Sequence, residues 1–249
     1  PGLPQRVRKV GAPLAVIIVL GTIAGLIVIL LTAVNPVGTA IGFVLSTVAI
    51  GVVVLAYLWL DRWEPEPPRL LILAFLWGAS VAVVISVILG LFLEALFNPG
   101  ASDVSPISVV VGAPLIEEAA KGLFLLVMMT GRRRNEMNSM TDCLVYAGIT
   151  AAGFTWLEDI LYISGGESLG DSLLTAAMRL IMGPFAHSLF TTAFGIGVYF
   201  ALQRTNAAGK VGCILLGYLG AVVMHGMWNG SSLLSTGAYF LVYALWMVP

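Results

Sequence analysis

Five consecutive residues, EEAAK at positions 117–121, place two carboxylates and one amine inside a stretch that is otherwise apolar. A single charge at the centre of a membrane-spanning helix costs about 2.5–3.5 kcal/mol on insertion scales, so three charges need compensation. On a helix, Lys121 lies three residues from Glu118 and four from Glu117, so both carboxylates are within reach of the amine. One glutamate is then offset by Lys121, and the other is left for acid–base chemistry.

Three more polar residues interrupt apolar segments: Glu158 and the only two histidines of the chain, His187 and His225. A single histidine among apolar residues is usually an interhelical hydrogen-bonding group. Two histidines together with one glutamate have the composition of a catalytic zinc site with a position left for water. In HGMWN, Asn229 follows His225 by four residues, so both side chains project from one helical face. The sequence therefore predicts a polar site built from several helices.

The composition indicates that these residues lie within a membrane. Of 249 residues, 59% are hydrophobic and 10% are charged, against about 25% charged residues in soluble domains. We therefore predict an all-α, polytopic transmembrane bundle that forms a single domain over residues 1–249, with the lipid bilayer as its surroundings. The net charge of -1 argues against a nucleic-acid partner. About eight spans are expected, at roughly 13–33, 39–60, 70–97, 107–130, 141–163, 172–203, 211–230 and 233–248.

The basic residues predict the orientation of these spans. With eight spans, one side of the membrane holds all four basic segments: QRVRK, DRWEPEPPR, GRRRNE and QRTNAAGK. The loops on the opposite side contain no Lys or Arg. Lys121 and Arg179 alone depart from this pattern. We expect a multi-pass cell-membrane protein with both termini in the cytoplasm. The proline-rich part of the second segment, WEPEPP, is expected to be a stiff connector.

Depth along the helices, at about 1.5 Å per residue, places the polar residues at one level of the membrane. Glu117 is expected near the midplane, and Glu158 and His225 about 8 Å from the outer ends of their spans. The segment 172–203 is too long for a hydrocarbon core of about 30 Å, and Gly183 and Pro184 interrupt it. Residues 172–182 are therefore expected along the outer interface or as a half-helix, with Pro184 at the start of the span. The glycine-containing stretch 165–183 is the predicted gate, opening laterally or outward.

At these positions the sequence resembles the PrsW family of intramembrane metalloproteases, which is related to the CAAX prenyl proteases. The family pattern is EExxK, then FxxxE followed by Asn, a lone His, and HxxxN. The matching segments, in the same order, span a protease core of about residues 60–230: EEAAK (117–121), FTWLED (154–159), HSLFT (187–191) and HGMWN (225–229). The family commonly has Asn where this chain has Asp159. The resemblance implies a single-span membrane-protein substrate, such as an anti-sigma factor, cut near the extracytoplasmic side.

The residue types are consistent with such a hydrolase. Zinc at Glu158, His187 and His225 would activate water and polarise the scissile carbonyl. Glu117 or Glu118 would transfer the proton, and by analogy with the CAAX proteases Glu117 is the expected base. Asn229 would donate to the oxyanion, and Lys121 would hold the two glutamates and set their pKa values apart.

Three other functions are compatible with the same residues. A glutamate and a histidine can activate water without a metal, as proposed for related CAAX proteases. A non-catalytic scaffold or receptor is the second alternative, because the superfamily resembles the scaffold subunit of γ-secretase. The third is a proton-coupled transporter, in which buried glutamate and histidine relay protons; the sequence shows no inverted repeat of the kind typical of transporters.

Overall fold

The computed structural model describes residues 12–100 and 103–247, and in these parts of the chain every regular element is a helix, as predicted. The basic segment QRVRK lies outside the described residues. Two π-helical turns, Gly78–Ala82 and Ser108–Gly112, lead into α4 and α5. The α-helices are α1 (Leu14–Val34), α2 (Pro36–Leu60), α3 (Pro68–Trp77), α4 (Val83–Phe97), α5 (Ala113–Met128), α6 (Met140–Ser164), α7 (Leu169–Leu180), α8 (Ala186–Leu202), α9 (Ala207–Leu234) and α10 (Thr236–Met247).

Four helical segments of the described chain are long and apolar enough to cross a membrane: Leu14–Val34, Pro36–Trp63, Pro68–Phe97 and Ala207–Leu234. The third of these is α3 and α4 joined through their π-helical turn. Ala186–Leu202 is apolar but shorter. These helices and the apolar composition show a multi-pass membrane protein; the number eight remains a prediction.

The long predicted segment 172–203 is divided in two, as the sequence suggested. α7 ends at Leu180 and α8 begins at Ala186, with a turn between them that contains Gly183 and Pro184. The helix therefore starts two residues later than expected. α7 is amphipathic: it buries small residues such as Ser172 and Ala176, and its exposed residues include Leu169, Leu173, Leu174 and Met178. Such a helix suits the membrane interface.

α6 is the central helix, buried along almost its entire length. It crosses α3 and the following π-helical turn at very short range. A Cβ atom at Gly153 would lie 1.9 Å from the carbonyl oxygen of Phe75, and one at Gly78 would lie 1.9 Å from that of Thr150. Small residues at helix crossings let backbones approach closely within membranes. This crossing fixes the part of α6 that carries Glu158.

The WEPEPP segment is more than a connector, because Glu66 is buried. Its Oε2 accepts a hydrogen bond from Tyr146 Oη in α6 at 2.6 Å, and its backbone N–H donates to Asp61 Oδ2 at 2.9 Å. Burial raises the pKa of Glu66 to about 7, and the charges of Asp142, Asp61 and Glu136 act in the same direction. The segment thus anchors the N-terminal half of α6.

Substitution of Gly153 by alanine tests the close crossing. We expect Gly153→Ala to lower the free energy of unfolding by about 1–3 kcal/mol, because the clashing atom belongs to the backbone of α3 and the helices must separate. Thermal unfolding in detergent measures the change. Gly51→Ala in α2 is the matched control: its Cβ would meet nothing within 4 Å, so stability should be unchanged or higher. A Gly153→Ala variant that melts at the parent temperature would contradict this packing.

Candidate active site

A cavity of about 500 Å³ lies between α4, α5, α6, α7, α8 and α9. Glu117 of α5, Glu158 of α6, His187 of α8 and His225 of α9 all line it. Four helices distant in sequence therefore bring their isolated polar residues to one place. The centroids of the two histidine rings are 4.7 Å apart.

Behind the cavity, Glu118 and Lys121 form a fully buried ion pair, with Nζ 2.6 Å from Oε1. The same Oε1 accepts a hydrogen bond from His225 Nδ1 at 2.9 Å, and Oε2 accepts one from Thr191 Oγ1 at 2.8 Å. Both oxygens of Glu118 are therefore engaged. An ion pair without contact to water needs such additional hydrogen bonds, because removing each ion from water costs several kcal/mol.

Both histidines contact this ion pair through Nδ1, but in opposite roles: Nδ1 of His225 donates to Glu118, whereas Nδ1 of His187 accepts from Lys121, which leaves the proton of the neutral His187 ring on Nε2. Lys121 Nζ lies 3.2 Å from His187 Nδ1, at hydrogen-bonding distance, and Glu118 accepts from His225 Nδ1. Phe190 stacks on the His225 ring with centroids 5.0 Å apart. With Nδ1 of His225 donating to a carboxylate, its Nε2 is left as the lone-pair nitrogen, which is the arrangement of metal-bound histidines in proteins.

The Nε2 atoms of the two histidines each face a glutamate. His187 Nε2 lies 3.1 Å from Glu158 Oε2, and His225 Nε2 lies 3.7 Å from Glu117 Oε2. The site thus has two layers: the Glu118–Lys121 pair on the Nδ1 side, and the carboxylates of Glu117 and Glu158 on the Nε2 side, toward the cavity.

Lys121 pairs with Glu118 only, although the helical spacing would allow either glutamate. Its ammonium group contacts Glu118 and His187 and lies 4.6 Å from the centroid of the Phe154 ring. Glu117 Oε2 is buried and has no hydrogen-bond partner among the described residues. The two neighbouring glutamates therefore differ physically: Glu118 is saturated, and Glu117 retains a free carboxylate oxygen next to the histidines.

The donor atoms fit a metal ion. Ligand atoms of Glu117, His187 and His225 all lie within 4.8 Å of one another, which makes them the one such group in the described parts of the chain. The set expected from the sequence contains Glu158 in place of Glu117, and Glu158 contacts only one of the two histidines directly. Imidazole nitrogens with carboxylate oxygens are typical zinc ligands.

The charges around the histidines do not balance. With neutral histidines and ionised acids, four carboxylates face two cations, which leaves two negative charges uncompensated. The groups are Glu117, Glu118, Glu158 and Asp159 against Lys121 and Arg179. A divalent cation would supply this deficit, so the residues present fit zinc in charge as well as in donor type.

The ion pairs of Arg179 with Glu158 and Asp159 were not predicted from the sequence. Arg179 Nη2 lies 2.5 Å from Glu158 Oε2 and its Nε 2.5 Å from Asp159 Oδ1. Two signals pointed to it: Arg179 departs from the one-sided distribution of basic residues, and two adjacent acids in an apolar helix require a cation. Sequence separation of 20 residues across two helices concealed the pairing.

Asn229, the expected oxyanion donor, lines the cavity but is held from behind. Its Nδ2 donates to the carbonyl oxygen of Val109 at 3.0 Å, in the π-helical turn Ser108–Gly112. A Cβ at Gly226 would lie 2.6 Å from the Val110 carbonyl oxygen, so α9 packs tightly on this turn. An amide nitrogen carries two donors, and the second is available for a substrate oxygen.

Comparison with known proteins places these residues in one family. Residues 66–249 match the family model described as PrsW family intramembrane metalloprotease. Protease PrsW of Geobacillus kaustophilus is 27% identical over 184 residues, which cover 73% of this chain and 76% of that protein. Protease PrsW of Oceanobacillus iheyensis is 25% identical over 192 residues, or 73% and 79% of the two chains. No solved structure matches the chain.

The different surroundings of the two glutamates predict different stabilities on mutation. Glu118→Gln leaves the Lys121 charge buried without its partner, so we expect it to lower the free energy of unfolding by about 3–5 kcal/mol. Glu117→Gln removes no ion pair with Lys121, and its melting temperature should stay close to that of the parent. Thermal unfolding of both variants in one detergent measures the difference. Equal melting temperatures would show that the two carboxylates are interchangeable.

Proposed function

The chain belongs to the PrsW family and is a membrane peptidase, and we propose that it hydrolyses a peptide bond of a membrane-protein substrate near the extracytoplasmic side. One observation carries this proposal above the others. The free carboxylate oxygen of Glu117 faces the cavity beside His225 Nε2, while its neighbour Glu118 is saturated by Lys121, Thr191 and His225. A buried, unbonded carboxylate next to a pair of histidines is suited to accept a proton.

We propose Glu158, His187 and His225 as the metal ligands; because the ligand atoms within 4.8 Å of one another are those of Glu117, His187 and His225, the Glu158 carboxylate would have to shift toward His225 to bind the ion. Zinc in this position would supply a Lewis acid that activates water and polarises the scissile carbonyl. Glu158 contacts His187 directly and is itself held by Arg179, as metal-ligating carboxylates are usually held by a further hydrogen bond. The closeness of Glu117 to both histidines suits a base that must reach the water attacking the substrate.

Glu117 is the general base and acid of this mechanism. It takes a proton from water as the water oxygen bonds to the scissile carbonyl carbon. It then gives that proton to the leaving amine nitrogen as the carbon–nitrogen bond breaks. Glu118 and Lys121 keep the histidine rings in place throughout, and the second N–H of Asn229 stabilises negative charge on the carbonyl oxygen.

The substrate class follows from the location of the site. A peptide bond within a helix is shielded, so a membrane-spanning substrate must unwind locally before it can enter. Residues 165–183 include α7 and the glycine-containing turns beside it, and Met178, Arg179 and Gly183 line the cavity. We assign the gate to this stretch, in a multi-pass cell-membrane protein with cytoplasmic termini that cuts single-span proteins of the anti-sigma-factor kind.

Two glutamine variants test the assignment of base and ligand. Glu117→Gln should retain zinc and lose cleavage by about 10²–10⁴-fold, because only the proton acceptor is removed. Glu158→Gln should lose zinc together with cleavage, because a metal ligand is removed. Purified protein, reconstituted with single-span membrane proteins, gives the rates, and mass spectrometry gives the zinc content. Asp103→Asn, at an exposed acid that precedes the π-helical turn Ser108–Gly112, is the control and should match the parent.

Three results would contradict parts of this account. Zinc lost from Glu117→Gln but kept by Glu158→Gln would move the ligand role to Glu117. Full cleavage by protein that contains no metal would favour direct activation of water by glutamate and histidine. A folded parent protein that binds zinc but cleaves no membrane protein in the panel would favour the scaffold or receptor alternative.

A further inference from the structure

We propose that Arg179 is a positioning residue that fixes the carboxylate of Glu158 in the site, and that Asp159 fixes Arg179. The inference rests on the proposed function, since it concerns how the assigned zinc ligand Glu158 is held. It assigns a role to two residues that the sequence singled out without assigning them one. The relevant contacts link the end of α7 to the last third of α6.

The guanidinium group of Arg179 is held on three sides. Different nitrogens contact Glu158 Oε2 and Asp159 Oδ1, and the guanidinium carbon lies 4.2 Å from the centroid of the Tyr162 ring. Such a planar, forked group bonded at two nitrogens and stacked on an aromatic ring has little freedom to rotate. Glu158 therefore meets a donor whose position is already determined.

Asp159 lines the cavity, and its observed ion pair is with Arg179. It is buried, and its Oδ2 has no hydrogen-bond partner among the described residues, so Arg179 supplies its charge compensation. By engaging Nε, Asp159 restricts Arg179 to a single oxygen of Glu158 through Nη2. Without that restraint, the guanidinium could take both carboxylate oxygens in the common bidentate arrangement and withdraw Glu158 from a metal.

The ion pair with Arg179 also links the position of the Glu158 carboxylate in α6 to α7. Arg179 lies in the last turn of α7, whose exposed side chains are mostly apolar and which is bounded by turns containing Gly165, Gly166 and Gly183. Its ion pairs with α6 lie at the cavity, where Arg179 and Glu158 are both lining residues. The position of α7 and the position of the Glu158 carboxylate are thus physically linked.

Zinc affinity shows whether Arg179 acts by orienting Glu158 or only by its positive charge. Removing a cation beside a metal site should by charge alone strengthen zinc binding, whereas losing the orientation of a ligand should weaken it. We expect Arg179→Gln to raise the zinc dissociation constant about 10–100-fold, and Arg179→Lys, which keeps the charge but not the fork, to raise it by a smaller factor. Competition with a chromophoric chelator measures affinity, and thermal unfolding and cleavage are recorded on the same samples.

Two substitutions of Asp159 test whether its oxygen acceptor is what holds Arg179. Asp159→Asn keeps an oxygen acceptor for Nε and should bind zinc within about threefold of the parent, whereas Asp159→Ala should weaken zinc as much as Arg179→Gln. Arg204→Gln, at an exposed arginine after α8, and Asp103→Asn are the controls and should match the parent.

The outcomes separate this inference from the proposed function. Parent-like or tighter zinc binding by Arg179→Gln, in a parent that binds zinc and cleaves, overturns the positioning role alone. A fall in melting temperature with unchanged zinc affinity overturns it as well, because the arginine would then be only a structural tie. A parent that binds no zinc overturns both this inference and the assigned metal site.

Discussion

The buried ion pair between Glu118 and Lys121 is the interaction on which the site depends. Each ion loses its hydration at a cost of several kcal/mol, and only dense hydrogen bonding makes such a pair stable. The structure provides it from two neighbouring helices: Thr191 of α8 and His225 of α9 bond to the glutamate of α5, and His187 of α8 contacts the lysine. The bonds that stabilise the pair are also those that orient the two histidines.

The other three carboxylates of the site have fewer partners than Glu118. Glu158 and Asp159 share Arg179, and Glu117, at the cavity, has a carboxylate oxygen without a hydrogen-bond partner in the described structure. The carboxylate oxygen without a hydrogen-bond partner thus belongs to a residue that lines the cavity. The close crossing of Gly153 with Phe75 supports this arrangement by holding α6 firmly, so that the polar residues near its C-terminal end are presented on a rigid element.

Much of this arrangement could be predicted from the sequence, because polar residues in apolar segments are costly and therefore informative. The all-helical fold, the helix break around Gly183 and Pro184, and the list of residues that meet at the cavity all follow from local patterns. The pairing of Lys121 with Glu118 rather than Glu117 does not, since helical spacings of three and four residues both allow an ion pair. The burial of Glu66 and the bond between Arg179 and Asp159 likewise depend on how distant helices pack, which periodicity cannot express.

The central claim is that a divalent cation completes the charge balance of this site and is required for its chemistry. The most direct test is cleavage of a reconstituted single-span membrane protein by purified enzyme stripped of metal with a chelator, before and after titration with zinc. The account predicts that stripping abolishes cleavage and that about one zinc ion per chain restores it. Cleavage at the full rate by the stripped enzyme, with no zinc bound on titration, would contradict it.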